Sequence, residues 1–164
     1  VNRRTLMAAG LLGSLLSLIG CDPQRIQELE EGVSTEADVR ARFGEPERVW
    51  TVPGGRMFEY NRQPQGQKNY MITIGPDGKM SALRQVLTPQ NFARVQPGMA
   101  AEELRQLLGK PAKRTPYPLR GETEWDWRWV QPPNSPMVFT AVLDQNEQRV
   151  LRSGSTPDRS TEAP

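Results

Sequence analysis

Apolar and polar positions divide the chain into unequal parts. From Leu6 to Ile19 the residues are apolar or small. Beyond Cys21 the pattern changes to short amphipathic segments punctuated by Gly and Pro, and it runs through twice. In the first pass, Ile26 and Leu29 precede Gly32, and Val39 and Phe43 precede Gly44-Glu45-Pro46. In the second, Phe92 and Val95 precede Gly98, and Leu104 and Leu108 precede Gly109-Lys110-Pro111. The offset is about 65 residues, too long a unit and too few copies for a solenoid, so it reads as two paired units.

Each unit carries the same local instructions. Ser34 or Thr35 is suited to cap a helix, with Asp38 as its acidic partner three residues after Thr35. Val39 and Phe43, four apart, share one helical face. Gly44 stops the helix and Pro46 prevents its resumption. The second unit repeats this with Leu104, Leu107, Leu108, Gly109 and Pro111, which predicts helices over 34–44 and 99–109. Strands are expected at Val49–Val52, Arg56–Tyr60, Tyr70–Ile74 and Lys79–Leu87, the last two joined by the turn Gly75-Pro76-Asp77-Gly78. In the second unit they are expected at Thr123–Val130, Met137–Leu143 and Arg149–Leu151, with a turn at Asp144–Glu147. The fold class is therefore α+β, as two tandem helix-plus-antiparallel-sheet units. Their bounds are 21–88 and 89–152, after a leader at 1–20. A polar tail, 153–164, is expected to be disordered.

The leader follows from its flanks. Arg3 and Arg4 precede an apolar run of about 14 residues, short of the roughly 20 that a membrane span needs, and typical of a signal peptide. The run ends Leu18-Ile19-Gly20-Cys21, which resembles the lipobox of bacterial lipoproteins. That resemblance implies cleavage between Gly20 and Cys21 and a covalent lipid on Cys21, holding the chain at a membrane. Several acyl chains together anchor firmly where one does not. Asp22 resembles the signal that retains lipoproteins on the inner membrane of enteric bacteria.

Composition narrows the function. The 21 basic and 19 acidic residues leave a formal charge of +2, with no basic stripe of the kind nucleic acid requires. The chain has no histidine and one cysteine, so neither a disulfide within the chain nor a Cys/His metal site can form. Gly54-Gly55 lacks the Lys-Ser/Thr and following helix of a phosphate loop. Glu28, Glu30 and Glu31 read as a solvated face. An enzyme is not expected, nor a cofactor beyond the lipid. Trp125, Trp127 and Trp129 alternate and so share one face of a strand. They suit the core of the second unit, or else an exposed aromatic binding face. The polar loop carrying Arg62, Gln63, Gln65 and Gln67 lies between two strands, where contact residues tend to sit.

The lipobox, the Val39–Pro46 helix end, the strand Arg56-Met57-Phe58-Glu59-Tyr60-Asn61-Arg62-Gln63 and the following hairpin together resemble the BamE family of small lipoproteins. That resemblance implies two helices against a three-stranded antiparallel sheet and an accessory role in outer-membrane protein assembly. It implies an outer-membrane, periplasm-facing location, with the inner membrane as the alternative from Asp22. It also implies envelope-protein partners contacted by Phe58, Arg62 and Gln63. Paired α/β units of this size resemble β-lactamase-inhibitor proteins as well, which implies a periplasmic inhibitor or ligand-binding module whose concave sheet grips a partner's loop.

Overall fold

The computed structural model describes residues 22–161. The expected leader, the expected cleavage site at Gly20 and the expected lipid attachment at Cys21 lie outside the described residues. The protein is α+β, with two four-stranded antiparallel sheets and few helices. Its first half contains α1 (Asp22–Gln27), α2 (Glu36–Phe43), β1 (Arg48–Val52), β2 (Gly55–Asn61), β3 (Asn69–Ile74) and β4 (Met80–Gln85). The second half contains α3 (Pro89–Phe92), α4 (Ala101–Leu108), β5 (Lys113–Tyr117), β6 (Glu122–Gln131), β7 (Ser135–Asp144) and β8 (Val150–Pro157). Each sheet is a simple meander, β1-β2-β3-β4 and β5-β6-β7-β8.

Helix α2 begins at a capping box: the Thr35 hydroxyl accepts from the Asp38 N–H, and the Asp38 carboxylate accepts from the Thr35 N–H. It ends at Gly44, with φ 81° and ψ −164°. Helix α4 ends at Gly109, with φ 78° and ψ −172°. Both glycines occupy the positive-φ extended region, which is essentially closed to other residues, and not the left-handed helical conformation expected of a C-cap.

The helices of each half pack on one face of their own sheet. In the first half Val39 and Phe43 meet Phe58, Tyr60, Tyr70, Ile72, Ile74 and Met80, with Ile26 and Leu29 at the margin. In the second, Phe92, Val95, Leu104 and Leu108 meet Trp125, Trp127, Trp129 and Phe139. The three tryptophans are core: their relative exposures are 4%, 0% and 3%. A clean in-out alternation along β6 follows, the tryptophan face buried and the opposite face only partly so.

Two expectations fail here. The polar segment after residue 152 is not disordered as a whole: β8 runs to Pro157 and pairs with β7 along its length. Backbone pairing holds it, and the Asp158 carboxylate anchors its end, accepting from Arg128 Nε at 2.8 Å and the Ser160 N–H at 3.0 Å. Each half also has four strands, not the three implied by the family resemblance. Strand β5 escapes sequence reading because Lys-Arg-Thr-Pro-Tyr shows no alternation and contains Pro116. Proline is tolerated there because β5 is an edge strand.

Candidate binding surfaces

Helix α4 lies between the two sheets. Its Leu104 and Leu108 enter the second core, while Arg105 reaches back to the first sheet. There the Glu59 carboxylate, fully buried, accepts from Arg105 Nη2 at 3.1 Å, Lys110 N–H at 3.0 Å, Trp50 Nε1 at 3.1 Å and Asn61 Nδ2 at 2.8 Å. Asn69, also buried, donates through Nδ2 to the carbonyls of Leu108 and Lys110, at 2.9 and 3.2 Å. These bonds satisfy carbonyls that the end of α4 leaves free. The back of the first sheet is thus a buried junction at this end.

The expected contact loop belongs to the same junction. Gln63 donates through Nε2 to the Arg128 carbonyl at 2.7 Å and accepts the Arg128 N–H at 3.1 Å, so it pairs with β6 as a strand residue would. Arg62 is half-buried, with its guanidinium 5.6 Å from the centroid of the Phe43 ring. Phe58 is completely buried, with Arg40 and Arg56 over its ring. The assignment of Phe58 as a partner contact is corrected accordingly, since no surface of it remains. Gln63 is engaged within the chain. Gln65 stays exposed.

By strand register, Asp126 is the counterpart of Glu59. Glu59 lies opposite Arg48 and its carbonyl accepts the Glu47 N–H; Asp126 lies opposite Lys113 and its carbonyl accepts the Ala112 N–H. Asp126 is only partly buried, its carboxylate accepts from the Thr140 hydroxyl at 2.6 Å, and no salt bridge reaches it among the described residues. Where the covered face presents Trp50, Met57 and Met71, the corresponding places on the open one hold Thr115, Glu124 and Thr140. The composition of each face matches its exposure.

Two features stand out on the exposed surface. The first is the tip between β5 and β6, Pro116-Tyr117-Pro118-Leu119-Arg120. Leu119 is fully exposed, at 105%, and Arg120 stacks over Tyr117 at 4.0 Å from its centroid. Glu122 next to the tip is held below the ordinary carboxylate range, chiefly by the Arg152 guanidinium. The second is a groove of about 450 Å³ between the back of the first sheet and the α3–α4 segment, lined by Met57, Met71, Met99 and Leu107 among others. Sequence reading missed both. The tip was legible as one leucine between prolines and an arginine; the groove was not, since its walls lie far apart in the chain. No helix among the described residues is long and apolar enough to cross a membrane.

No family model matches the chain. It is similar to an uncharacterized protein, YjgB, of Bacillus subtilis (strain 168), with 31% identity over 103 residues, which is 63% of this chain and 53% of that protein. The chain thus spans about half the length of the curated relative it matches. A solved structure of a DUF4309 family protein (YjgB) from the same organism has 25% identity and covers 83% of this chain and 86% of that one, at a TM-score of 0.32. The sequence relative overturns the BamE resemblance. The relative comes from a Gram-positive bacterium, which has no outer membrane, so the outer-membrane and periplasmic location falls as well. The physical reason for the misreading is that a glycine-proline helix stop and an alternating strand are general solutions to ending a helix and packing a sheet.

Proposed function

We propose that the chain is a non-enzymatic binding module, tethered to a membrane surface by lipid on Cys21, that recognises a folded protein partner. The contact surface is the open face of the second sheet together with the Leu119 tip. Exposure of Leu119 carries this reading. Single exposed leucines are ordinary, but this one projects completely from a loop whose φ angles are restricted at Pro116 and Pro118. A preset apolar knob loses little entropy on entering a socket, which is how interface anchors contribute most of their binding energy. The surrounding Thr115, Glu124, Asp126 and Thr140 supply a polar rim.

In this proposal the two halves are tandem units resembling β-lactamase-inhibitor proteins, with the sheet face as the gripping surface. It is supported by the common order of two helices and a four-stranded meander in each half. A photo-crosslinking residue at position 119 of the full chain, expressed in its native host, tests it. A discrete adduct with one protein, competed by unlabelled chain and lost on Arg120→Glu, is expected. Absence of any adduct, with the chain folded and membrane-bound, refutes the surface. Cys21→Ala should move the protein to the soluble fraction; retention in membranes refutes the tether separately.

A further inference from the structure

Helix α4 seals only one end of the first sheet's back. Toward Met57 and Thr73, the sheet and the α3–α4 segment leave the groove of about 450 Å³, a size within the usual range for ligand sites of roughly 300–1,000 Å³. Met71 is buried, while Met57, Met99 and Leu107 are half-buried. Thioether side chains adapt to irregular apolar groups, which suits a surface that must receive a side chain rather than a fixed neighbour.

The rim carries charges of both signs. It holds two guanidiniums, Arg84 and Arg94, and one carboxylate, Glu103. Arg84 is already paired with Glu31, which also accepts the Leu83 N–H. Arg94 is exposed, and its Nη1 donates to Asn91 Oδ1 at 3.3 Å. Asn91 is itself fixed, donating through Nδ2 to the Val86 carbonyl at 2.9 Å. No carboxylate pairs with Arg94 among the described residues. A positioned guanidinium without a counterion, at the edge of an apolar groove, matches a carboxylate attached to an apolar group.

We propose that this groove binds the free C-terminus of a peptide ending in a large apolar residue. The side chain lies among Met57, Met71 and Met99, and the terminal carboxylate pairs with Arg94. The half-buried Gln106 amide faces the peptide backbone. A long alkyl chain fits less well: it offers no backbone amide to Gln106, and binding would fix many of its torsions. This inference is independent of the Leu119 surface.

Fluorescence polarisation on the full chain, solubilised in detergent, tests it. The probe is fluorescein-labelled Gly-Ser-Gly-Ser-Leu-Phe, as free acid and as C-terminal amide. Saturable binding of the acid is expected, weakened about tenfold by amidation and by Arg94→Gln, a difference of about 1.4 kcal/mol. Thermal melts of wild type and Arg94→Gln should overlay, which separates lost contact from lost fold. Equal binding of acid and amide, no saturable binding, or displacement by laurate at the same concentration as by peptide would each overturn the proposal.

Discussion

Tyr60 and Trp127 make the same hydrogen bond in the two halves of the molecule. The Tyr60 hydroxyl donates to the Gly44 carbonyl at 2.9 Å, and the Trp127 indole N–H donates to the Gly109 carbonyl at 3.0 Å. Each aromatic ring thus ties the second strand of its sheet to the end of the helix above it. One residue earlier the halves part company, because Glu59 is buried under α4 and Asp126 is not.

That difference sets the first prediction. Arg105→Met leaves the Glu59 carboxylate buried without its cation, and should cost about 3–5 kcal/mol. Asp126→Asn, on the open face, should cost about 0.5 kcal/mol or less. Urea unfolding of both variants checks the contrast, and equal losses would contradict the burial assigned to Glu59.

The two helix-ending glycines should also differ. Gly44→Ala meets no atom within 4 Å, so only its positive φ opposes it, at roughly 1–3 kcal/mol. Gly109→Ala would bring a methyl to 2.5 Å from Asn61 Oδ1 and 2.9 Å from Asn69 Nδ2, against the junction between the halves. Its melting temperature should fall well below that of the Gly44 variant.

Core truncation gives a third comparison. Phe43→Ala and Leu108→Ala remove buried side chains from separate cores. Each should destabilise by about 2–5 kcal/mol. Chemical denaturation would show a loss below 1 kcal/mol if either side chain were not packed as described.

Gln63→Ala removes both bonds to the Arg128 backbone and should cost about 1–3 kcal/mol, because that backbone is left unpaired. Gln65→Ala, exposed, should be neutral. Hydrogen exchange at the Arg128 amide reads the difference directly, and unchanged protection would remove Gln63 from the junction.

Tyr60 predicts an alkaline limit. Its burial is the main cause that raises the phenol from 10.0 to about 12. The unfolded chain therefore ionises first, and the stabilising contribution is whole below pH 10 and lost as pH rises toward 12. Tyr60→Phe should flatten the loss of stability between these values. A melting-temperature profile with the same alkaline slope in both proteins would show that other groups cause it.

The sequence by itself determined the local structure wherever one residue type decides a backbone state. Thr35 and Asp38 fix the start of α2. Gly44 and Gly109 fix where two helices stop, and Pro76 and Gly78 mark the β3–β4 turn. The alternation of Trp125, Trp127 and Trp129 set them on one face of β6 but left core and binding face open, and only the packing of α3 and α4 made that face the core. The sequence could show no such alternation for β3, which is buried on both faces and so loses the period-two signal. Nor could it separate the loop at Gln63 from an exposed contact, since a polar side chain reads alike whether it meets water or a backbone in the other half. Tertiary structure alone decided that α4 serves two sheets. It also decided that Glu59 is clamped while Asp126 is open, and that methionines from strands and helices line one groove. These outcomes depend on contacts between residues about 40–65 positions apart. A periodic pattern records which face of an element is apolar, but not which distant element covers it.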